Sequence, residues 1–431
     1  MTSITSLNHL TAVALVALFG ATPAAAKFDL YSFVGGKHGS RPNGVIADAT
    51  GALYGDGTLG GGCNIGQGCG VIYRLTPPAA GKHAWKQSVL FTFGNSNGAD
   101  PEATLLLGPH GELYGTTIGG AGGNCVDGCG NVFEVIPPAA GKTKWTQTQL
   151  HVFNAGSDGW EPDSGLIADA NGALYGTTPL GGSSGCDGSG CGVVYRLTPP
   201  PAGQTAWTYT ILYVFTDGAD GAGPSGALLF DANGNLYGTA SGGGNGTGSG
   251  TVFELSPPGG GGTPWTETTL YSFSGTDGSE PVAAVIADAG GALYGTTEEG
   301  GSGTHGVVFK LTPPTRAGHP WTEAVLVNFS GANGWDPQGG LVMDASGNLY
   351  GTTAVGGAGC SLNSVGCGTV FKLSKPAHPK GAWKQKILHS FNGATGYNPI
   401  ASMVFGAGGL LYGTSGLGGT DDLGTVFSLK P

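Results

Sequence analysis

Short apolar runs rich in Val, Ile, Leu, Phe and Tyr alternate with Gly-, Pro- and Asp-rich stretches along almost the whole chain. In one copy of the pattern the runs fall at 282–288, 292–297, 306–312 and 321–329. Runs of this length and composition, bounded by turn residues, predict four β-strands per copy. The pattern recurs seven times, each copy carrying a Leu-Tyr-Gly core. Its tyrosines are Tyr54, Tyr114, Tyr175, Tyr237, Tyr294, Tyr350 and Tyr412, separated by 60, 61, 62, 57, 56 and 62 residues. A fixed period of this kind marks stacked or radial copies of one supersecondary unit.

The connections fit the same scheme. An Asp with Gly two or three residues on separates the first and second runs at Asp48, Asp169, Asp231, Asp288 and Asp344, with Gly108 and Gly406 in the remaining copies. Asp is favoured there for local side-chain-to-backbone bonds, so these are read as turn residues and not as a ring of functional carboxylates. A Pro-Pro pair such as Pro77-Pro78 ends the third run in five copies, since proline cannot donate to a ladder. The fourth run holds Trp and Phe at an even spacing (Trp85/Phe93 through Trp383/Phe391). Strict alternation then sets both aromatics on one face and Leu90, Leu150, Leu212, Leu270, Leu326 and Leu388 on the other. With both faces apolar, each sheet needs cover on two sides.

Four antiparallel strands repeated seven times predict an all-β fold, a seven-bladed β-propeller. The mature chain begins with a fourth-type strand near Leu30 to Phe33 and stops after a third-type strand, so the N-terminal strand is expected to close the ring. Without it the last blade would expose an unpaired edge.

Composition changes the picture in three places. Gly 87 and Pro 26 make up about a quarter of the 431 residues, a share usual in disordered chains, but here they punctuate apolar runs. Residues 1–26 contain no Lys, Arg, Asp or Glu and hold an apolar stretch, 10–21, ahead of Ala24-Ala25-Ala26. They are read as a signal peptide before a single repeat domain, 27–431, with no membrane-spanning segment once it is removed. The expected location is secreted, periplasmic or on the cell surface. The net charge of −11, without a Lys/Arg cluster, argues against nucleic-acid partners.

The motif Tyr-Gly-Thr-Thr-x-x-Gly-Gly…Gly-Thr-Val-Phe-x-Leu resembles the GloVer-type tandem repeat of exported bacterial proteins, grouped with choice-of-anchor repeat proteins. The resemblance covers 28–431. It implies export and an extracytoplasmic role and brings no activity or catalytic residues. Members of that group commonly end in an anchoring segment, and 427–431 shows none.

Candidate chemistry concentrates in two loop types that alternating strand directions send to one face. The four longest loops after Leu-Tyr-Gly hold all eight cysteines. Pairing within each loop predicts disulfides Cys63–Cys69, Cys125–Cys129, Cys186–Cys191 and Cys360–Cys367, favoured over zinc because the pairs lie in separate copies. The second loop type, [Asp/Asn]-Gly-x-[acid]-Pro, precedes the first strand. It sets Trp160 beside Glu161 and Asp163, and Trp335 beside Asp336, with Tyr397 in a third copy. An aromatic face beside a carboxylate suits a sugar ring, so these six residues are ligand-binding candidates. The plainer alternative is a turn with a solvated acid and an aromatic covering a blade junction.

Neither a His-Glu-x-x-His nor a Gly-x-x-x-x-Gly-Lys-[Ser/Thr] phosphate-cradling loop occurs. The expectation is a monomeric, non-catalytic binding scaffold for an extracellular polysaccharide, envelope component or protein, without a cofactor or metal. The alternative is a propeller enzyme, a calcium-dependent lactonase or esterase-like hydrolase or a lyase, acting at the channel mouth. Calcium needs six to eight converging oxygens, and the acids here are scattered over different copies.

Overall fold

The computed structural model describes residues 28–431 except 64–67, 184, 260–263, 317, 361–364 and 379–380. The signal-peptide expectation for 1–26 lies outside the described residues. Seven four-stranded antiparallel sheets, called blades one to seven by their Leu-Tyr-Gly copy, form a ring around one axis. Blade one comprises Ser40–Ala47, Leu53–Leu59, Val71–Thr76 and Lys86–Thr92. Blade seven is composite: Asp29–Ser32 pairs with Thr425–Leu429, which pairs with Leu411–Ser415 and then Val404–Phe405. Closure by the N-terminal strand therefore holds. Among the described residues, no helix is long and apolar enough to cross a membrane.

The innermost strands are shorter than the first apolar runs. In blade five only Ile286–Ala287 pairs in the ladder. The preceding stretch instead gives carbonyls to the neighbouring blade. Thr239 Oγ1 donates to the Ala283 carbonyl at 3.0 Å, and Thr116, Thr296 and Thr352 make the matching bonds to Ser164, Gly339 and Ala401. The threonine directly after Leu-Tyr-Gly thus ties blades two, four, five and six each to the next.

The outer strands correct the expectation that Trp and Phe share a face. Every outermost strand carries a β-bulge at the leucine: Val194 pairs with Tyr213 and Tyr195 with Ile211, leaving Leu212 opposite nothing. The same skip occurs at Leu90, Leu150, Leu270, Leu326 and Leu388, and at Leu30 in the closing strand. One extra residue inverts the alternation beyond it. Phe215 consequently faces blade four, 5.1 Å from Phe253, while Trp207 faces blade two, 6.4 Å from Tyr114. Leu212 joins the Phe side of the sheet.

The inverted phenylalanines build the junctions. Phe93–Phe133, Phe153–Tyr195, Phe215–Phe253, Phe273–Phe309, Phe329–Phe371, Phe391–Phe427 and Phe33–Tyr73 each meet edge to face at 5.1–5.5 Å. All seven junctions are filled in this way, the last by the N-terminal strand. Each buried ring contributes on the order of 2–3 kcal/mol relative to exposure.

The recurrent turn Asp does what local chemistry predicts. Asp169 Oδ1 accepts the N–H groups of Asn171 and Ala173 at 2.8 and 3.0 Å. Its Oδ2 also accepts the hydroxyl of Tyr175, the motif tyrosine, at 3.1 Å. Asp48, Asp231, Asp288 and Asp344 repeat the arrangement. Burial alone would raise these carboxyls, but hydrogen bonds hold Asp288 and Asp344 below the usual range. This face of the disc is built from self-contained turns.

Candidate binding face

The opposite face is built from seven copies of one backbone corner. The residue before the proline adopts a left-handed conformation every time: Arg41, Asp100, Glu161, Gly223, Glu280, Asp336 and Asn398 have φ between 53° and 64°. Residues preceding proline are normally driven to extended conformations, and only glycine takes positive φ freely. The corner is held by the blade before it. The N–H of Asp100 donates to the Cys69 carbonyl, Glu161 to Cys129, Gly223 to Cys191 and Asn398 to Cys367, at 2.9–3.2 Å. Where no cysteine is present, Ser249, His305 and Leu423 supply the carbonyl for Glu280, Asp336 and Arg41.

Each corner proline then packs on the glycine that opens the preceding blade's third strand. At Gly70, whose φ is 94°, a Cβ would lie 2.4 Å from Pro101 Cδ, so no larger residue fits. The Gly of Gly-Thr-Val-Phe and the Pro of the acid-Pro loop are two halves of one contact.

The four disulfides form as expected, each within its own loop. Their second cysteine lies beside the corner, so each staple stiffens a loop and anchors the following blade. In the chain-entropy model closing such a short loop stabilises by roughly 2 kcal/mol.

On this uniform backbone the side chains differ, and the acids gather in two sectors. In the first, burial followed by the charge of Asp100 raises Glu102, against the opposing effect of Arg41. Burial, with Glu102 and then Glu161 added, pushes Asp163 up to about 7. In the second, Gln338 Nε2 donates to both Glu298 Oε1 (2.9 Å) and Asp336 Oδ2 (3.2 Å). Burial and the adjacent Glu298 push Asp336 up to about 7, and burial with Glu299 and Glu298 raises Glu280. Among the described residues no three His, Cys, Asp or Glu side chains converge closely enough to hold a metal ion.

The candidate residues Trp160, Glu161 and Asp163 adjoin the first sector, and Trp335 and Asp336 the second. Tyr397 stands just before the corner of blade seven, paired with Leu417. The three aromatics are half-buried. Trp160 packs against the Cys125–Cys129 staple, Tyr397 against Cys360–Cys367, and Trp335 lies edge to face on His305 at 4.5 Å. All three occupy the position just before the corner and cover a blade junction, each with part of its surface left to solvent. Gln338, Glu102 and the buried Asp56 belong to this region but were not among the candidates. The position directly after the corner proline is the signal for the first two.

A ring of seven such blades, with local turns on one face and stapled corners on the other, is a seven-bladed β-propeller. The chain belongs to the Gloeobacter/Verrucomicrobia repeat family, whose pattern matches residues 17–188, 127–282 and 187–427. No curated protein matches it. Among solved structures it is similar to the extracellular domain of a protein described as a one-component system from B. thetaiotaomicron. That match has 12% identity and a TM-score of 0.52, over 95% of this chain and 42% of the other. It is also similar to PorZ, a bacterial surface component of the type-IX secretion system of Porphyromonas gingivalis. There the identity is 16% and the TM-score 0.47, over 87% of this chain and 45% of the other. The chain thus spans less than half the length of these two proteins, and the likeness concerns the fold.

Proposed function

We propose that this protein is an exported, non-catalytic propeller whose stapled-corner face binds a glycan or other component of the cell envelope. One observation carries the reading: seven superimposable corners present Arg, Asp, Glu, Gly, Glu, Asp and Asn around one channel mouth. A rigid frame with variable side chains is how scaffold proteins separate stability from recognition. The staples support it twice. Disulfides persist in oxidising compartments, which fits export behind the apolar segment at 10–21. Stiff loops also lose less entropy on binding.

Trp160, Trp335 and Tyr397 supply apolar edges, and Glu161, Asp163 and Asp336 accept hydroxyl groups. A glycan array and an envelope pull-down, run on wild type and on Trp160→Ala/Trp335→Ala, test this. Loss of retained material by the double variant is expected. Undiminished capture, or turnover of lactones or esters that chelation of calcium abolishes, overturns it.

A further inference from the structure

Six copies have thirteen residues from corner proline to motif tyrosine, as in Pro101 to Tyr114, and blade one has twelve, Pro42 to Tyr54. Register locates the missing residue. Val45 pairs with Gly55 as Leu106 pairs with Tyr114 one step later, and the pairing slips between Pro42 and Val45. One residue is therefore missing between Pro42 and Val45, from the stretch that opens with Glu102, Asp163, Ser225, Val282, Gln338 and Ile400 in the other copies.

A cavity of about 230 Å³ lies at this gap, lined by Arg41, Asn43, Glu102, Asn398, Ile400 and Leu417 among others. Two further departures from the repeat occur in the same blade. Arg41 is the single basic side chain among the seven corners, is exposed, and forms no ion pair among the described residues. Asp56 replaces the threonine that all six other blades carry at this position. It is 1% exposed, and neither carboxylate oxygen has a well-formed hydrogen-bond partner. It lies behind the cavity, opposite Asn43–Gly44 in the ladder, and the charge of Glu102 acts on it. A buried unpartnered acid costs stability, and a repeat that departs from its own rule at a cost marks a functional position.

We propose that this cavity is a binding site for an amino-acid head group, with the ligand carboxylate on Arg41 and its ammonium on Glu102. The proposal rests on the binding role argued above and names a ligand class for one part of that face. A lone anion would meet the field of Glu102 and Asp100, and a lone cation that of Arg41. A group carrying both charges on one carbon satisfies the two walls together. The volume suits one residue-sized ligand, and Ile400 and Leu417 offer it an apolar side. The Asn43 and Asn398 amides can take up the remaining donors and acceptors. The head group can come from a free amino acid or from a wall peptide that carries one.

The test is calorimetric titration of the purified chain with each proteinogenic amino acid, with D-alanine, and with peptides released from the envelope by digestion. N-acetylalanine and alaninamide serve as blocked probes. At least one zwitterionic probe should bind, each blocked form should lose roughly tenfold or more, and Arg41→Ala and Glu102→Gln should abolish the signal. Inserting an isoleucine between Pro42 and Asn43 restores the length of the other copies. It should fill the cavity and remove binding while the thermal transition persists. The proposal is overturned if no zwitterionic probe binds, if either blocked probe binds equally well, or if binding survives the insertion. Envelope capture by the Arg41→Ala chain separates the two readings: capture retained beside a failed titration leaves the face a binding face and removes this site.

Discussion

In blade five, Thr296 gives its hydroxyl to the Gly339 carbonyl of blade six, and Phe309, on the side of blade four, closes over Gly295. In blade one the same two positions hold Asp56 and Tyr73, and neither side chain makes a well-formed hydrogen bond. Both blades share strand order, bulge position and corner conformation. Blade five shows what the unit needs in order to pack. Blade one shows what it tolerates when something else is gained. In a chain of internal copies each blade is a control for the others, so a departure can be judged without any other sequence.

Making blade five resemble blade one should have the largest effect. Thr296→Asp removes a buried hydrogen bond and buries an acid with no partner, an expected loss of about 3 kcal/mol or more. Chemical denaturation at neutral pH measures it, and an unchanged midpoint would show that the junction accommodates carboxylates anywhere. The reverse change, Asp56→Thr, should stabilise by about 1–3 kcal/mol, since a hydroxyl can restore the bond to the next blade.

The acidic sectors sharpen the comparison through pH. Asp163 and Asp336 titrate near 7 in the folded chain against an ordinary 3.8, so the native state holds protons that the unfolded state has released. Stability should therefore fall as pH rises from about 4 to about 7 and level off above, by about 1–2 kcal/mol per group after screening. Asp163→Asn should flatten part of that slope between about pH 4 and about pH 7 in thermal melts. The turn carboxyls act with the opposite sign, since Asp288 and Asp344 are held low and lose their contribution only in more acid solution. The smallest effect is expected from Tyr73→Phe, a gain of about 0.5–1 kcal/mol from removing a buried hydroxyl without a partner. A loss instead would mean that the phenol of Tyr73 has found an acceptor.

Fold and staples were legible because they rest on spacing. Seven evenly spaced tyrosines and four cysteine pairs, each confined to one loop, leave few arrangements open. The bulge was not, although Leu212 and Phe215, three residues apart and both apolar, contradict strict alternation. The same pair recurs as Leu30 and Phe33. The corners were hidden for a physical reason: a left-handed residue before proline opposes local preference, and tertiary bonds from the preceding blade impose it. Counting from tyrosine to tyrosine also masked the short first copy, because loop lengths vary in the same interval. Counting from Pro42 to Tyr54 exposes it. The candidate aromatics all precede a corner, but the packing of Trp160 and Tyr397 on staples and of Trp335 on His305 depends on contacts between blades.

The claim that the stapled-corner face is the recognition face has a direct test. Immobilised wild type is compared for envelope capture with two charge-neutralised chains. One carries Asp100→Asn, Glu161→Gln, Glu280→Gln and Asp336→Asn at the corners, and the other carries Lys82→Gln, Lys142→Gln and Arg316→Gln on the opposite face. Both should melt like wild type or better. The corner variant should lose capture by roughly tenfold or more, since a few residues dominate most interfaces, and the opposite-face variant should retain it. Capture that survives in the corner variant, or that is lost only in the opposite-face variant, would contradict the account.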